Sequence, residues 1–242
     1  MMYNKIWLLG DSLSKGVTFD AERKKYTLID NCFFNGMQQQ LACEMENLAA
    51  MGCTAPKAKA RLEKRLEHDK PDIVVIELGG NDCDYLWDDI AANPDKDHQP
   101  KTDVATFTQL MREMVGELRE RDIVPLLMNL PPIDADKYFS FFSHADMNIG
   151  QRILRWLGCV SRVYWWHERY NSAVEALAQS TKTMLINVRH AFLAKPDYRA
   201  YIGPDGIHPN EAGQLLIQET LIDFVRANCP ELLLSRAQPS LA

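Results

Sequence analysis

The chain has 242 residues, of which 46% are hydrophobic and 25% charged. That is enough for one substantial core in a single α/β domain spanning 1–242, and the composition is that of an ordered globular protein. A net charge of −6 speaks against a nucleic-acid partner, which needs a basic face to neutralise phosphates, so Arg23-Lys24-Lys25 reads as solvated surface.

In chain order, the first ten residues hold one lysine followed by four apolar residues before Gly10. That run is too short for a signal-peptide core, and no stretch approaches the ~20 apolar residues of a membrane span. A cytoplasmic location without a membrane partner is the expectation, with the cysteines at 32, 43, 53, 83, 159 and 229 as thiols. No CxxC pair or Cys/His cluster has zinc spacing, so no metal is expected.

Residues 5–9 read as a buried strand, followed by the loop Gly10-Asp11-Ser12-Leu13-Ser14-Lys15-Gly16. A helical stretch is expected over 30–41 and a second strand over 44–49. Thr54 followed by Pro56 is a helix start, with the helix running to about residue 68. The run IVVIEL at 73–78 is the clearest strand because of its β-branched residues. Residues 83–101, with Pro94, Pro100 and many aspartates, read as a surface excursion. A helix over 103–121, a strand over 123–129, a strand over 184–188 and a closing helix over 211–228 complete the pattern. Strands alternating with helices imply a parallel sheet covered on both faces, because parallel strands need crossover connections.

One segment breaks the alternation. Between 133 and 167 lie Tyr138, Phe139, Phe141, Phe142, Trp156, Tyr164, Trp165 and Trp166. It reads either as an extra packed helical layer or as an aromatic cap over a substrate pocket. Its aromatic residues are mixed with Asp134, Asp136, Lys137, His144, Asp146, Asn148 and Arg152. That mixture suits a sugar or another polar ring better than a long alkyl chain.

In open parallel sheets ligands bind outside the carboxyl ends of the strands. Ser12 follows the first strand, Gly52 the second and Gly79-Gly80-Asn81-Asp82 the third, while His208 lies after the fifth within Asp205-Gly206-Ile207-His208-Pro209-Asn210. Acyl transfer needs a hydroxyl, a base within reach and an acceptor that orients the base. Asp205 and His208, three residues apart in a tight turn, can be that acceptor and base for Ser12. The amides of Ser12 and Gly52 and the side chain of Asn81 can supply oxyanion donors. Glycine at 52, 79 and 80 allows close backbone approach and positive φ. Each motif alone is weak, since Gly-Asp-Ser and Gly-Gly-Asn-Asp commonly form turns and a lone histidine is usually a surface residue. The ordered set carries the reading.

Asp11 and Asp82 are expected to order their loops by accepting from backbone amides. Cys53 and Cys83 flank the oxyanion positions without a nucleophilic role. His190 reads as structural, His144 as part of the aromatic segment, and His68, His98 and His167 as surface or packing residues.

Together, GDSL at 10–13, the Gly52 loop, GGND at 79–82 and DGIHPN at 205–210 resemble the four sequence blocks of the SGNH (GDSL-type) hydrolase family, over about residues 5 to 226. The resemblance implies a flavodoxin-like three-layer α/β/α sandwich with five parallel strands in the order 2-1-3-4-5. It also implies cofactor-free hydrolysis of carboxylic esters or thioesters through Ser12, Asp205 and His208, with an oxyanion hole of Ser12, Gly52 and Asn81. The expected substrate is a small ester with a short acyl group on a polar or carbohydrate alcohol. A thioesterase or lysophospholipase would use the same residues on longer chains. A phosphate- or flavin-binding module of flavodoxin type is the non-enzyme alternative, opposed by Asp11 in the loop and by the lack of a P-loop or dinucleotide fingerprint. A binding protein that has lost activity is opposed by the full set of catalytic residue types. The α/β-hydrolase elbow Gly-x-Ser-x-Gly is absent.

Overall fold

The computed structural model describes residues 3–234, so Met1 and Met2, which begin the amino-terminal stretch read above, lie outside it. Seven strands follow in chain order: β1 (Lys5–Leu9), β2 (Val17–Asp20), β3 (Lys25–Leu28), β4 (Glu44–Asn47), β5 (Ile73–Ile76), β6 (Val124–Met128) and β7 (Met184–Ile186). Five of them form one sheet in the order β4-β1-β5-β6-β7, with every pairing parallel. This is the expected order 2-1-3-4-5 for the five strands read from sequence.

The central strands are apolar at nearly every position because both faces of the sheet are covered. Side chains alternate across a strand, so Trp7, Leu9, Val74, Ile76 and Leu127 enter one core while Ile6, Leu8, Ile73, Val75 and Leu126 enter the other. The first core is closed by α2 (Ala55–Leu66), α4 (Val104–Glu120) and α7 (Ser161–Thr181). The second is closed by α1 (Phe33–Gln38), α8 (Val188–Leu193) and α9 (Glu211–Asn228). Each fully buried Leu, Ile or Phe of these cores contributes about 1.5–3 kcal/mol of apolar transfer.

Polar side chains fix the helix starts. Asp103 accepts from the amides of Ala105 and Thr106 at the start of α4, and Asn210 accepts from Gly213 at the start of α9. Such caps contribute about 1 kcal/mol each. Thr54 opens α2 without a side-chain cap bond. The free amide of Ala55 is taken instead by Asp82 Oδ1 at 2.8 Å, a carboxylate from the loop after β5.

Other departures are local. The helix expected over 30–41 shortens to α1, because the chain turns at Gln39 and Gln40 to enter the edge strand β4. Residues 17–28, given no element from sequence, form an antiparallel hairpin of β2 and β3. Within the supposed surface excursion lies a short helix, α3 (Trp87–Ala92). It packs with α5 (Ala135–Phe142) and α6 (Met147–Leu157) around a third cluster containing Trp87, Ile90, Phe142, Ile153 and Leu157. Much of the aromatic segment 133–167 is therefore packed in this layer. No helix among the described residues is long and apolar enough to cross a membrane.

Candidate active site

The loop after β1 is folded by its own side chains. Asp11 Oδ1 accepts from the Leu13 amide at 2.9 Å, and Val17 N donates to Ser12 O at 3.0 Å. The turn presents Ser12 at the sheet's carboxyl end. The loop carrying Asp205 and His208 is equally constrained. Gly206 has φ +81°, and a Cβ there would lie 2.3 Å from the amide nitrogen of Tyr138. Only glycine lets this turn pack against the start of α5, where Asp134 N donates to Gly206 O at 2.8 Å.

These loops bring three distant residues into one chain of contacts. His208 Nε2 lies 2.8 Å from Ser12 Oγ, and His208 Nδ1 lies 2.5 Å from Asp205 Oδ2. The second oxygen of Asp205 accepts from the amides of Ile207 and His208 at 3.2 and 3.1 Å. Asp205 is fully buried and His208 is 7% exposed, so the carboxylate is fixed as an acceptor away from water. The geometry can pass the Ser12 proton to the imidazole and stabilise the cation that results. The ring of Tyr26 meets the His208 imidazole edge to face, with centroids 5.3 Å apart. Burial pushes the Tyr26 hydroxyl up to about 12.

Gly52 and Asn81 line the same cavity as Ser12 and His208. Among the described residues, the amides of Ser12 and Gly52 donate to no protein acceptor, which leaves them free for an incoming oxygen. Asn81 Nδ2 donates one hydrogen to Asp11 Oδ2 at 2.8 Å, and this bond fixes which end of the carboxamide is the donor. Gly52 and Gly79 take the expected positive φ, at 63° and 130°. Gly80 does not. A side chain there would meet Asp11 Oδ2 only at 3.6 Å.

Asp11 orders its own loop by accepting from the Leu13 amide, as expected, whereas Asp82 accepts from Ala55 and ties its loop to the start of α2. Burial raises the Asp82 carboxyl to about 6 and also raises that of Asp11, which is partly offset by the Leu13 amide and by His208. The thiol of Cys53 is pushed up to about 11 by burial and by the Asp11 carboxylate, and burial also raises that of Cys83 well above its ordinary range. Neither supplies a thiolate at neutral pH.

Three features escaped the sequence reading. The hairpin of β2 and β3 sends Phe19, Lys24 and Tyr26 to the cavity wall, and its alternation of Val17, Phe19, Tyr26 and Leu28 around a charged turn was the available signal. Glu77, read only as part of a strand, is a carboxyl group 1% exposed beneath the loop after β1. His167, read as a surface or packing residue, is 5% exposed and lines the cavity, with Nδ1 enclosed and without a partner among the described residues.

The cavity holds about 720 Å³, within the usual range for small-molecule sites. Its walls are aromatic: Trp87 and Phe142 stack with centroids 3.8 Å apart, and Phe19 meets Phe141 edge to face at 4.8 Å. Polar groups interrupt them. Asp84 accepts from Trp87 Nε1 at 2.8 Å, from the Tyr138 hydroxyl at 2.6 Å and from Lys101 Nζ at 2.7 Å.

Similar structures share this architecture. A lipase/acylhydrolase from Enterococcus faecalis is 19% identical, with a TM-score of 0.66 over 97% of this chain and 100% of its own. An acetylxylan esterase from Geobacillus stearothermophilus is 20% identical, with a TM-score of 0.64 over 96% and 97%. A psychrotrophic esterase from a Pseudoalteromonas species is 19% identical, with a TM-score of 0.58 over 93% and 97%. No curated protein is significantly similar in sequence. The pattern of the GDSL-like lipase/acylhydrolase family matches residues 8–216, so the chain belongs to that family and is a carboxylic ester hydrolase.

Proposed function

We propose that the protein hydrolyses esters of short acyl groups on polar or carbohydrate alcohols through an acyl-enzyme on Ser12. His208 is the general base, taking the Ser12 proton at Nε2 and returning it to the leaving alcohol. Asp205 holds the imidazole tautomer. The amides of Ser12 and Gly52 and the side chain of Asn81 bind the oxyanion as charge develops. A water deprotonated by the same imidazole then releases the acid. The observation that carries this reading is the unbroken contact Ser12–His208–Asp205 at 2.8 and 2.5 Å.

The substrate reading rests on the cavity. Lys24, Asp84, Asp88, Lys101 and His144 share its lining with the aromatic rings. Rings stack on the faces of a sugar while charged groups meet its hydroxyls, whereas an alkyl chain would have to desolvate those charges at a cost. The polar-ring esterase named among the similar structures, the acetylxylan esterase, lends further support. A phosphate or flavin would meet the buried Asp11 carboxyl group in the loop after β1.

Replacing Ser12 tests the mechanism. Ser12→Ala should lower kcat on an activated short-chain ester by on the order of 10⁴ to 10⁶ while far-ultraviolet circular dichroism stays unchanged. Retention of more than about a tenth of wild-type turnover would rule out the serine mechanism, given losses of that size elsewhere.

A further inference from the structure

Glu77 follows β5 immediately and lies beneath the nucleophile loop. Its Oε2 accepts from the Ser14 hydroxyl at 2.9 Å and from the Asp11 amide at 3.4 Å. A Cβ on Gly10 would come within 3.0 Å of the same oxygen, so the loop lies directly against this carboxyl group. The contact from the Asp11 amide sets the Glu77 carboxyl group beside that of Asp11, whose charge acts on it. Asp11 Oδ1 is occupied by the Leu13 amide and Oδ2 by Asn81 Nδ2.

Neither acid takes part in an ion pair among the described residues. The other titratable groups that face them are His208 from the loop after α8, Asp82 from the loop after β5 and the Cys53 thiol after β4. Two carboxyl groups in contact, both buried and without a basic partner, do not ionise together. The hydrogen bonds decide which keeps the proton. Asp11 accepts from two N–H donors, both to its carboxylate oxygens. The Oε2 of Glu77 acts as a carbonyl acceptor, which leaves Oε1 as the place for a proton. Burial and the Asp11 charge both raise the Glu77 carboxyl far above its ordinary range.

We propose that Glu77 is a positioning residue: as a neutral acid it donates its proton to the Asp11 carboxylate, which in turn holds the Asn81 amide beside Ser12 in the cavity. Asp11 also faces His208. The catalytic consequence rests on the esterase reading above. The protonation itself does not.

Glu77→Gln and Glu77→Leu separate these points. Gln presents a carbonyl oxygen to Ser14 and to the Asp11 amide and an N–H to the Asp11 carboxylate, without a titrating proton. A folded-state value raised above the unfolded one gives stability that is full below the unfolded value and is lost as pH rises. The melting temperature of Glu77→Gln relative to wild type should therefore rise steadily from about pH 4 toward about pH 8. In turnover of an activated ester at neutral pH, Glu77→Gln should stay within about threefold of wild type. Glu77→Leu should lose kcat by on the order of ten- to a hundredfold with little change in KM, because Asp11 loses its donor and Asn81 its fixed orientation. A stability gap that is flat or narrows with pH would overturn the neutral acid. Glu77→Gln as impaired in kcat as Glu77→Leu would overturn the positioning role. Wild-type protein inactive on every ester would defeat the esterase reading and leave the stability result to judge the proton.

Discussion

The floor and the walls of the cavity are held by different forces. On the floor, side-chain hydrogen bonds of 2.5 to 2.8 Å form two groups, Ser12–His208–Asp205 and Asn81–Asp11, and backbone amides at 2.9 to 3.2 Å hold the two carboxyl groups. Along the walls, Phe19, Trp87, Phe141 and Phe142 meet through ring contacts, which tolerate volume-conserving exchange. Directional bonds make the floor rigid and unforgiving of single changes. Non-directional packing leaves the walls free to differ between proteins that share a mechanism, so the proposed mechanism assigns reaction type to the floor and substrate choice to the walls. Changes on the floor should therefore move kcat, and changes on the walls should move KM, stability or chain-length preference.

Asn81 gives the strongest test of the floor. Asn81→Ala removes the proposed oxyanion donor and the group that fills Asp11 Oδ2. Expected is a fall in kcat of roughly 10² to 10³ with KM nearly unchanged, since such a donor acts mainly in the transition state. Steady-state kinetics on an activated ester measure both parameters. A rise in KM alone would move Asn81 from the floor's chemistry to substrate binding.

The same division explains what the sequence revealed. The proposed catalytic chemistry ties residue type to spacing, so Ser12 in GDSL, Asn81 in GGND and His208 in DGIHPN stood out, as did the strands that carry them. The three-residue interval from Asp205 to His208 matches the contact at 2.5 Å. The walls have no such grammar. Trp87 sits in what read as an irregular excursion because its helix has only six residues, and its stacking on Phe142 joins positions 55 residues apart in sequence. Glu77 was hidden for another reason. A carboxylate at the end of an apolar strand looks like a residue leaving the core, and only the fold shows the Asp11 loop closing over it.

His167 is the exception among the walls, a buried polar group whose Nδ1 has no hydrogen-bond partner among the described residues. Burial, aided by the nearby Arg189 charge, lowers its imidazole to about 3. It stays neutral in the fold while the unfolded chain takes up a proton below about pH 6.5. The sign follows: stability associated with this residue is present above that pH and is lost as pH falls toward the folded value, by about 1.4 kcal/mol per unit. His167→Leu should remove this acid sensitivity, so its urea midpoint should gain on wild type from about pH 7 to about pH 4. Parallel curves for the two proteins would show that His167 takes up protons equally in both states. Activity on a small activated ester should change little, because His167 belongs to the wall.

Acyl-chain length probes the walls with the smallest step. Each methylene that enters a matching apolar tunnel contributes about 0.8 kcal/mol, close to fourfold in kcat/KM. A long-chain enzyme would gain by that factor at each step until its tunnel ends. In this cavity, the about 720 Å³ must hold both the acyl group and the alcohol, and the lining includes Lys24, Asp88 and the Asp84–Lys101 pair at 2.7 Å. A growing alkyl chain would soon meet these groups and strip water from them without returning a hydrogen bond, which costs more than one methylene gains. The series of p-nitrophenyl esters from acetate to palmitate should therefore peak between acetyl and butyryl and decline beyond. Substituting Phe141, where the hairpin meets the aromatic layer, by Ala should shift the maximum by one or two carbons without altering turnover of the acetate. A wild-type maximum at octanoate or beyond would mean that the aromatic rings line an alkyl tunnel, and the short polar ester would give way to a long-chain substrate on the same floor.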